Sequence, residues 1–146
     1  MQALLLTIAP LLISFAVSSR PGVEYSSLKK PAWTPPPIVF PIVWTCLYLG
    51  MGYASARVAS VTGLLSLPIL AYVLQLALNI SWTPIFFGRG AYAKALTILR
   101  YLIVAAATTM YLFWQVDRAA GLLFVPYLAW LGVAHELNRA IVTMNR

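Results

Sequence analysis

Tryptophan, tyrosine and carboxamide side chains recur along this chain at three- and four-residue intervals, and they are the groups with chemistry to offer. Tyr72, Gln75, Asn79 and Trp82 follow one another at spacings of three, four and three, which sets them on one face of a helix. Tyr127, Trp130, Ala134, Asn138 and Ile141 repeat the pattern, as do Trp44, Tyr48, Met51 and Ser55. Thr97, Ala105 and Thr108 mark a weaker fourth stripe, also expected to face inward. Faces of this kind suit a flat, largely apolar guest, with rings to stack on it and sparse hydrogen bonds to orient it. The same residue types also glue transmembrane helices together, with Trp at helix ends as an interfacial anchor. Spacing by itself leaves both readings standing.

Catalysis and metal binding have little material to work with. The chain has one histidine and three acids, and Glu24 and Asp117 are expected on opposite sides of a membrane, so no triad or carboxylate pair is evident. His135 alone excludes a multi-histidine metal site; a lone axial haem ligand is the most it offers. No catalytic residue, resident metal or required cofactor is expected. Arg100 stands about 13 Å into its apolar segment by helical rise, where snorkelling explains it better than pairing with a ligand carboxylate. Glu136 and Arg139, three apart, read as a local ion pair. Leu49, Tyr53 and Arg57 fit a loose sterol-contact pattern of little specificity.

The elements that hold these residues follow from composition. Of 146 residues 62% are hydrophobic and 9% charged, and mean hydropathy is +0.85. Soluble domains carry about 25% charged residues, so a water-facing surface cannot be built here. The fold class expected is all-α: a single integral membrane domain of five transmembrane helices, spanning approximately 2–19, 39–61, 64–87, 91–114 and 119–143. Ala16-Val17-Ser18 loosely resembles a signal cleavage site, but no Lys or Arg precedes the first apolar run, so a retained span is expected. Pro41 and Pro68 fall in first turns, where proline costs least, and Pro84 is placed to kink only a last turn. Cys46 is the only cysteine, so no intrachain disulfide can form. Gly52-x3-Ala56 and Ala77-x3-Ser81 are small-residue pairs suited to seating a dimer or to packing helices within one chain.

The one long polar interruption lies between the first two spans. Lys29 to Trp44 carries three consecutive prolines, Pro35 to Pro37, which stiffen the path and remove backbone donors. A stiff connector bearing Trp33 reads as a fitted lid over an apolar bundle, or equally as an interfacial loop anchored by Trp33 and Trp44. Arg20, Lys29, Lys30, Arg89, Lys94, Arg139 and Arg146 share its side, against Arg57 and Arg118 opposite. The positive-inside rule then places this loop and the C-terminus in the cytoplasm and the N-terminus outside. The net charge of +7 sits at the ends of apolar runs and so speaks of topology and anionic lipid, not of nucleic acid.

Several blocks together resemble a known family. They are Lys30-Pro31-Ala32-Trp33-Thr34-Pro35-Pro36, then Val43-Trp44 and Leu47-Tyr48, then Gln75-Leu76-Ala77-Leu78-Asn79 with Trp82-Thr83-Pro84-Ile85-Phe86-Phe87-Gly88. Pro126-Tyr127-Leu128-Ala129-Trp130 and Leu137-Asn138 complete the set. In this order, from about Tyr25 to Asn145, the chain resembles the tryptophan-rich sensory protein/translocator protein family, also called the peripheral benzodiazepine receptor, in a bacterial-type member. The resemblance implies a five-helix bundle, commonly a homodimer, with the first loop folded over a pocket near the cytoplasmic side. It implies as ligands porphyrins (protoporphyrin IX or haem), benzodiazepine-type molecules and, in animals, cholesterol. The lining positions it implies are Tyr25, Trp33, Trp44, Asn79, Trp82, Trp130, Ala134 and Asn138, to which Tyr48 is added on the face of Trp44. Lys30, Pro31, Pro35 and Pro36 would form the lid. One departure stands out: Leu137-Asn138 is followed by Arg139-Ala140-Ile141-Val142-Thr143 with no tyrosine, which weakens any sterol expectation. The functions implied are a receptor that regulates tetrapyrrole handling, with a porphyrin transporter and a photochemical porphyrin-degrading enzyme as alternatives.

Overall fold

Within lipid a peptide group has no partner but another peptide group, so apolar runs of this length fold as helices. The computed structural model describes residues 1–18 and 28–145, with the backbone alone for 14–18, and contains no strand among the described residues. Its helices are α1 (Gln2–Ser18), α2 (Val39–Thr62), α3 (Leu67–Thr83), α4 (Tyr92–Val116), α5 (Arg118–Leu122) and α6 (Phe124–Met144). Four helical stretches are long and apolar enough to cross a membrane: Val39–Thr62, Leu67–Gly88, Tyr92–Val116 and Arg118–Met144. The 17-residue α1 is not among them, and the whole fits a membrane helical bundle.

Turn chemistry sets the boundaries. α2 ends at Gly63, whose φ of 80° is open to glycine at no steric cost, and its N–H caps the carbonyl of Ala59 at 2.8 Å. Ser66 is extended and Pro68 lies in the first turn of α3. Pro84 has no N–H to continue α3, and the chain widens into a π turn over Pro84–Gly88, closed by Arg89 N–H on the carbonyl of Pro84 at 2.9 Å. The fifth span departs from the single helix expected. Asp117 is extended, and its carboxylate accepts from the N–H groups of Ala119 (2.9 Å) and Ala120 (3.3 Å), starting the short α5 that turns at Leu123 into α6.

The expected inward faces of α2, α3 and α6 are buried except at the half-buried Trp44 and Trp130, and Gln75, Asn79 and Asn138 are at most 2% exposed. The stripe expected on α4 is wrong. Thr97 and Thr108 are exposed, and the buried face runs through Leu99, Leu102, Ala106, Thr109 and Phe113. Both exposed hydroxyls donate to the carbonyl one turn earlier, Ala93 (3.2 Å) and Val104 (2.9 Å), so they carry no unmet hydrogen bond toward lipid.

Gly52 decides how α1 meets α2. A Cβ there would lie 2.5 Å from the carbonyl oxygen of Thr7 and 2.8 Å from its Cα, so the two backbones touch. This member of the small-residue pair therefore packs helices within the chain. At one end of the bundle the first loop is tied to α6: Lys29 N–H donates to Asn145 Oδ1 (3.1 Å), and Asn145 Nδ2 donates to the Lys29 carbonyl (2.9 Å). At the other, Arg57 Nε meets Asp117 Oδ2 at 2.8 Å. The hydrogen bond from Arg57 holds the Asp117 carboxyl below the usual carboxylate range, with the two α5 N–H groups assisting.

Candidate functional site: an aromatic chamber

Three helices deliver one indole each to the loop end of the bundle. Trp44 of α2, Trp82 of α3 and Trp130 of α6 surround a single small cavity, whose wall is completed by Phe40, Phe86, Phe87, Ala134, Leu137 and Asn138. Trp130 stands edge-on to both Trp44 (6.4 Å, 85°) and Phe40 (5.7 Å, 66°), while Trp82 stacks on Phe86 at 4.9 Å and 25°. These are the offset and T-shaped arrangements that aromatic quadrupoles favour. The π turn after Thr83 is what carries Phe86 and Phe87 to this wall.

Asn138 fixes the chamber's frame. Its Oδ1 accepts from Trp82 Nε1 at 3.1 Å and its Nδ2 donates to the Tyr92 carbonyl at 2.9 Å. One amide thus ties α6 to the end of α3 and the start of α4. Trp130 is the contrast: its Nε1 is buried and has no hydrogen-bond partner among the described residues. That leaves one donor unanswered in the wall.

Beneath the chamber runs a buried polar chain. Trp44 stacks on Tyr48 (5.5 Å, 28°), and the Tyr48 hydroxyl donates to Asn79 Oδ1. Asn79 Nδ2 donates to the Tyr127 hydroxyl at 2.6 Å, and that hydroxyl donates to Gln75 Oε1 at 2.7 Å. Gln75 Nε2 in turn points at the Met51 sulfur, 3.8 Å away. Every hydrogen bond below that stack crosses between helices, so this chain sets the helix positions that the chamber inherits.

The cavity holds about 10 Å³, roughly the space of one water probe. Pockets for drug-sized ligands run to about 300–1,000 Å³. The rings therefore rest against one another, and any larger guest has to part them. No titratable side chain occurs among the described residues that line the wall, so recognition there rests on stacking and on neutral hydrogen bonds.

The residues expected at the site divide into groups. Trp44, Trp82, Trp130, Ala134 and Asn138 line the cavity. Tyr48 and Asn79 belong to the polar chain below it. Trp33 is 52% exposed and lines a separate outer groove with Glu136, Arg139, Ala140, Thr143 and Met144. Tyr25 lies outside the described residues. Lys30, Pro31, Pro35 and Pro36 sit in the irregular stretch before α2, where the Pro31 carbonyl accepts from the N–H (3.1 Å) and hydroxyl (2.7 Å) of Thr34. None of the described cavity-lining residues comes from that stretch. Phe40, Phe86, Phe87 and Leu137 were not anticipated as lining. Pro84 was the available signal for the two phenylalanines, because a proline there ends regular α-helix and redirects the residues after it. Arg100 is exposed, as a snorkelling side chain would be, and its Nε also approaches His135 Nε2 at 3.4 Å.

Comparison with known proteins covers nearly the whole chain. A sequence model of the TspO/MBR family matches residues 2–144. The chain is 45% identical over 127 residues to a tryptophan-rich sensory protein of Cereibacter sphaeroides, covering 86% of this chain and 79% of that one. It is 41% identical over 128 residues to protein CrtK of Rhodobacter capsulatus, with 86% and 80% covered. It is likewise 41% identical over 121 residues to the human translocator protein, with 80% and 72% covered.

Proposed function

The chain belongs to the TspO/MBR family and is an integral membrane protein, and from that premise we propose that it is a receptor for flat, apolar tetrapyrroles. Protoporphyrin IX or haem would enter the aromatic chamber, and benzodiazepine-type molecules would compete there. The observation that carries the reading is the convergence of Trp44, Trp82 and Trp130 from three separate helices on one cavity. The guest's ring system would slide between the indoles, with Trp130 Nε1 offering its unanswered N–H to an acceptor on the guest. The first loop, pinned to α6 through Lys29 and Asn145, would hinge at that end and close over the ligand. The family resemblance supports a homodimer, and the surplus of Lys and Arg at the loop end supports a cytoplasmic location for that loop and for the C-terminus, as in a bacterial membrane.

Titration with protoporphyrin IX tests this directly. Binding should quench intrinsic tryptophan fluorescence and saturate, and Trp44→Ala and Trp130→Ala should each weaken it tenfold or more. Loss of a stacked base-like ring is worth about 1–3 kcal/mol in other aromatic platforms, which corresponds to that range. Unchanged affinity in both variants would remove the chamber as the binding site.

A further inference from the structure

We infer that the outer face of α6 carries a headgroup site for an anionic phospholipid, separate from the aromatic chamber. Four ionisable side chains meet there across α4 and α6. Arg100 Nε lies 3.4 Å from His135 Nε2, and His135 Nδ1 lies 3.0 Å from Glu136 Oε1. Glu136 Oε2 accepts from Arg139 at 2.6 Å (Nη2) and 3.1 Å (Nε). Arg139 meets the carboxylate directly and Arg100 adjoins it through His135, so among the described residues the cluster is net positive even with a neutral imidazole. Glu136 is eight residues from the end of α6, about 12 Å by helical rise. At that depth an uncompensated charge is costly and calls for a partner.

The surface beside it has the shape and polarity of such a partner's site. A groove of about 330 Å³ runs between Trp33 of the first loop and the outer face of α6, with Arg139 and Glu136 at its polar side. Thr143 turns its hydroxyl back to the Arg139 carbonyl (3.1 Å), which leaves its methyl with Ala140 and Met144 as an apolar wall. Arg139, with 60% of its side chain exposed, keeps donors available after its bonds to Glu136. A phosphodiester would sit on Arg139 in the field of Arg100, with the glycerol and first methylenes along the wall and the Trp33 indole at the interface. A choline head would set a second positive charge beside the cluster. Anionic phospholipid is therefore favoured over zwitterionic.

The test is native mass spectrometry of the full chain with phosphatidylglycerol and phosphatidylcholine of matched acyl chains, and with oleate as a third arm. The parent protein should retain phosphatidylglycerol over phosphatidylcholine by about fivefold, the contribution of one basic residue near a membrane surface. Arg139→Gln should reduce that preference to twofold or less, Arg139→Lys should keep most of it, and Glu136→Gln should raise it by releasing Arg139. Thermal unfolding of each variant checks that the bundle is intact, and the opposite direction expected for Glu136→Gln cannot arise from misfolding. An undiminished preference in Arg139→Gln, or a lowered one in Glu136→Gln, overturns the site. Displacement of phosphatidylglycerol by equimolar oleate overturns its assignment to a phospholipid.

Discussion

Gly52→Ala is the substitution with the clearest physical consequence. The new methyl would stand 2.5 Å from the Thr7 carbonyl oxygen, about 0.9 Å short of the 3.4 Å at which ordinary contact begins. The obstructing atoms are backbone, so no rotamer change relieves the clash and α1 must retreat as a unit. Overpacking of this kind costs about 1–3 kcal/mol, against a gain of about 0.5–1 kcal/mol from replacing a mid-helix glycine. Net destabilisation should centre on about 1 kcal/mol and reach at most about 2.5 kcal/mol. Gly50 lies on the same helix two residues earlier with nothing within 4 Å of its Cβ position, so Gly50→Ala should be neutral or slightly stabilising. The assay is reversible unfolding in mixed detergent micelles at several protein concentrations. Concentration independence assigns the effect to helix packing within one chain, as the structure has it. If Gly52→Ala instead left the monomer's stability unchanged and shifted a monomer–dimer equilibrium, the α1–α2 contact would be refuted.

Three further outcomes follow from the geometry. Tyr127→Phe removes a hydroxyl that accepts from Asn79 and donates to Gln75. At about 0.6 kcal/mol per interhelical bond it should cost about 1 kcal/mol, and a double-mutant cycle with Gln75→Leu should show the two positions coupled. Asp117 has its folded carboxyl held below the usual range, so its contribution is full above that range and is lost as pH falls through the depressed value. The unfolding midpoint of the parent protein should therefore drop more between pH 7 and pH 3 than that of Asp117→Asn. Pro84→Ala restores the missing N–H and with it regular helix beyond Thr83. Phe86 and Phe87 should then rotate off the chamber wall, and protoporphyrin IX affinity should fall several-fold by fluorescence titration.

Much of this fold was readable from residue order. Gln75, Asn79 and Asn138 had to face inward because lipid cannot meet their amides, and they do. What spacing conveys is the side of a helix that faces in, not the residue it meets there. The pairing of Asn79 with Tyr48 and Tyr127, and of Asn138 with Trp82, depends on helix rotation and depth that no local pattern encodes. The α4 stripe failed for a related reason: a threonine whose hydroxyl bonds to its own helix behaves as a small apolar residue, and Leu99, Leu102 and Phe113 outweighed it. The approach of Arg100 to His135 was not legible, because the two lie 35 residues apart in sequence. Glu136 and Arg139, being local, were legible. Trp33 was grouped with the other indoles by motif, whereas the turn at Pro31–Thr34 leaves it outside the chamber.

The near-absence of free volume among the indoles has a kinetic corollary. A cleft already stoppered by its own rings gives acyl chains of the surrounding bilayer nothing to fill, so the resting protein is protected from occupation by its solvent. Under the proposed function, entry of a guest would wait on thermal parting of Trp44 and Trp130, and only the parted fraction would bind, scaling the observed affinity down by that fraction. Association measured by stopped flow should level off at high guest concentration, at a plateau set by how often the rings separate and not by how fast guests arrive.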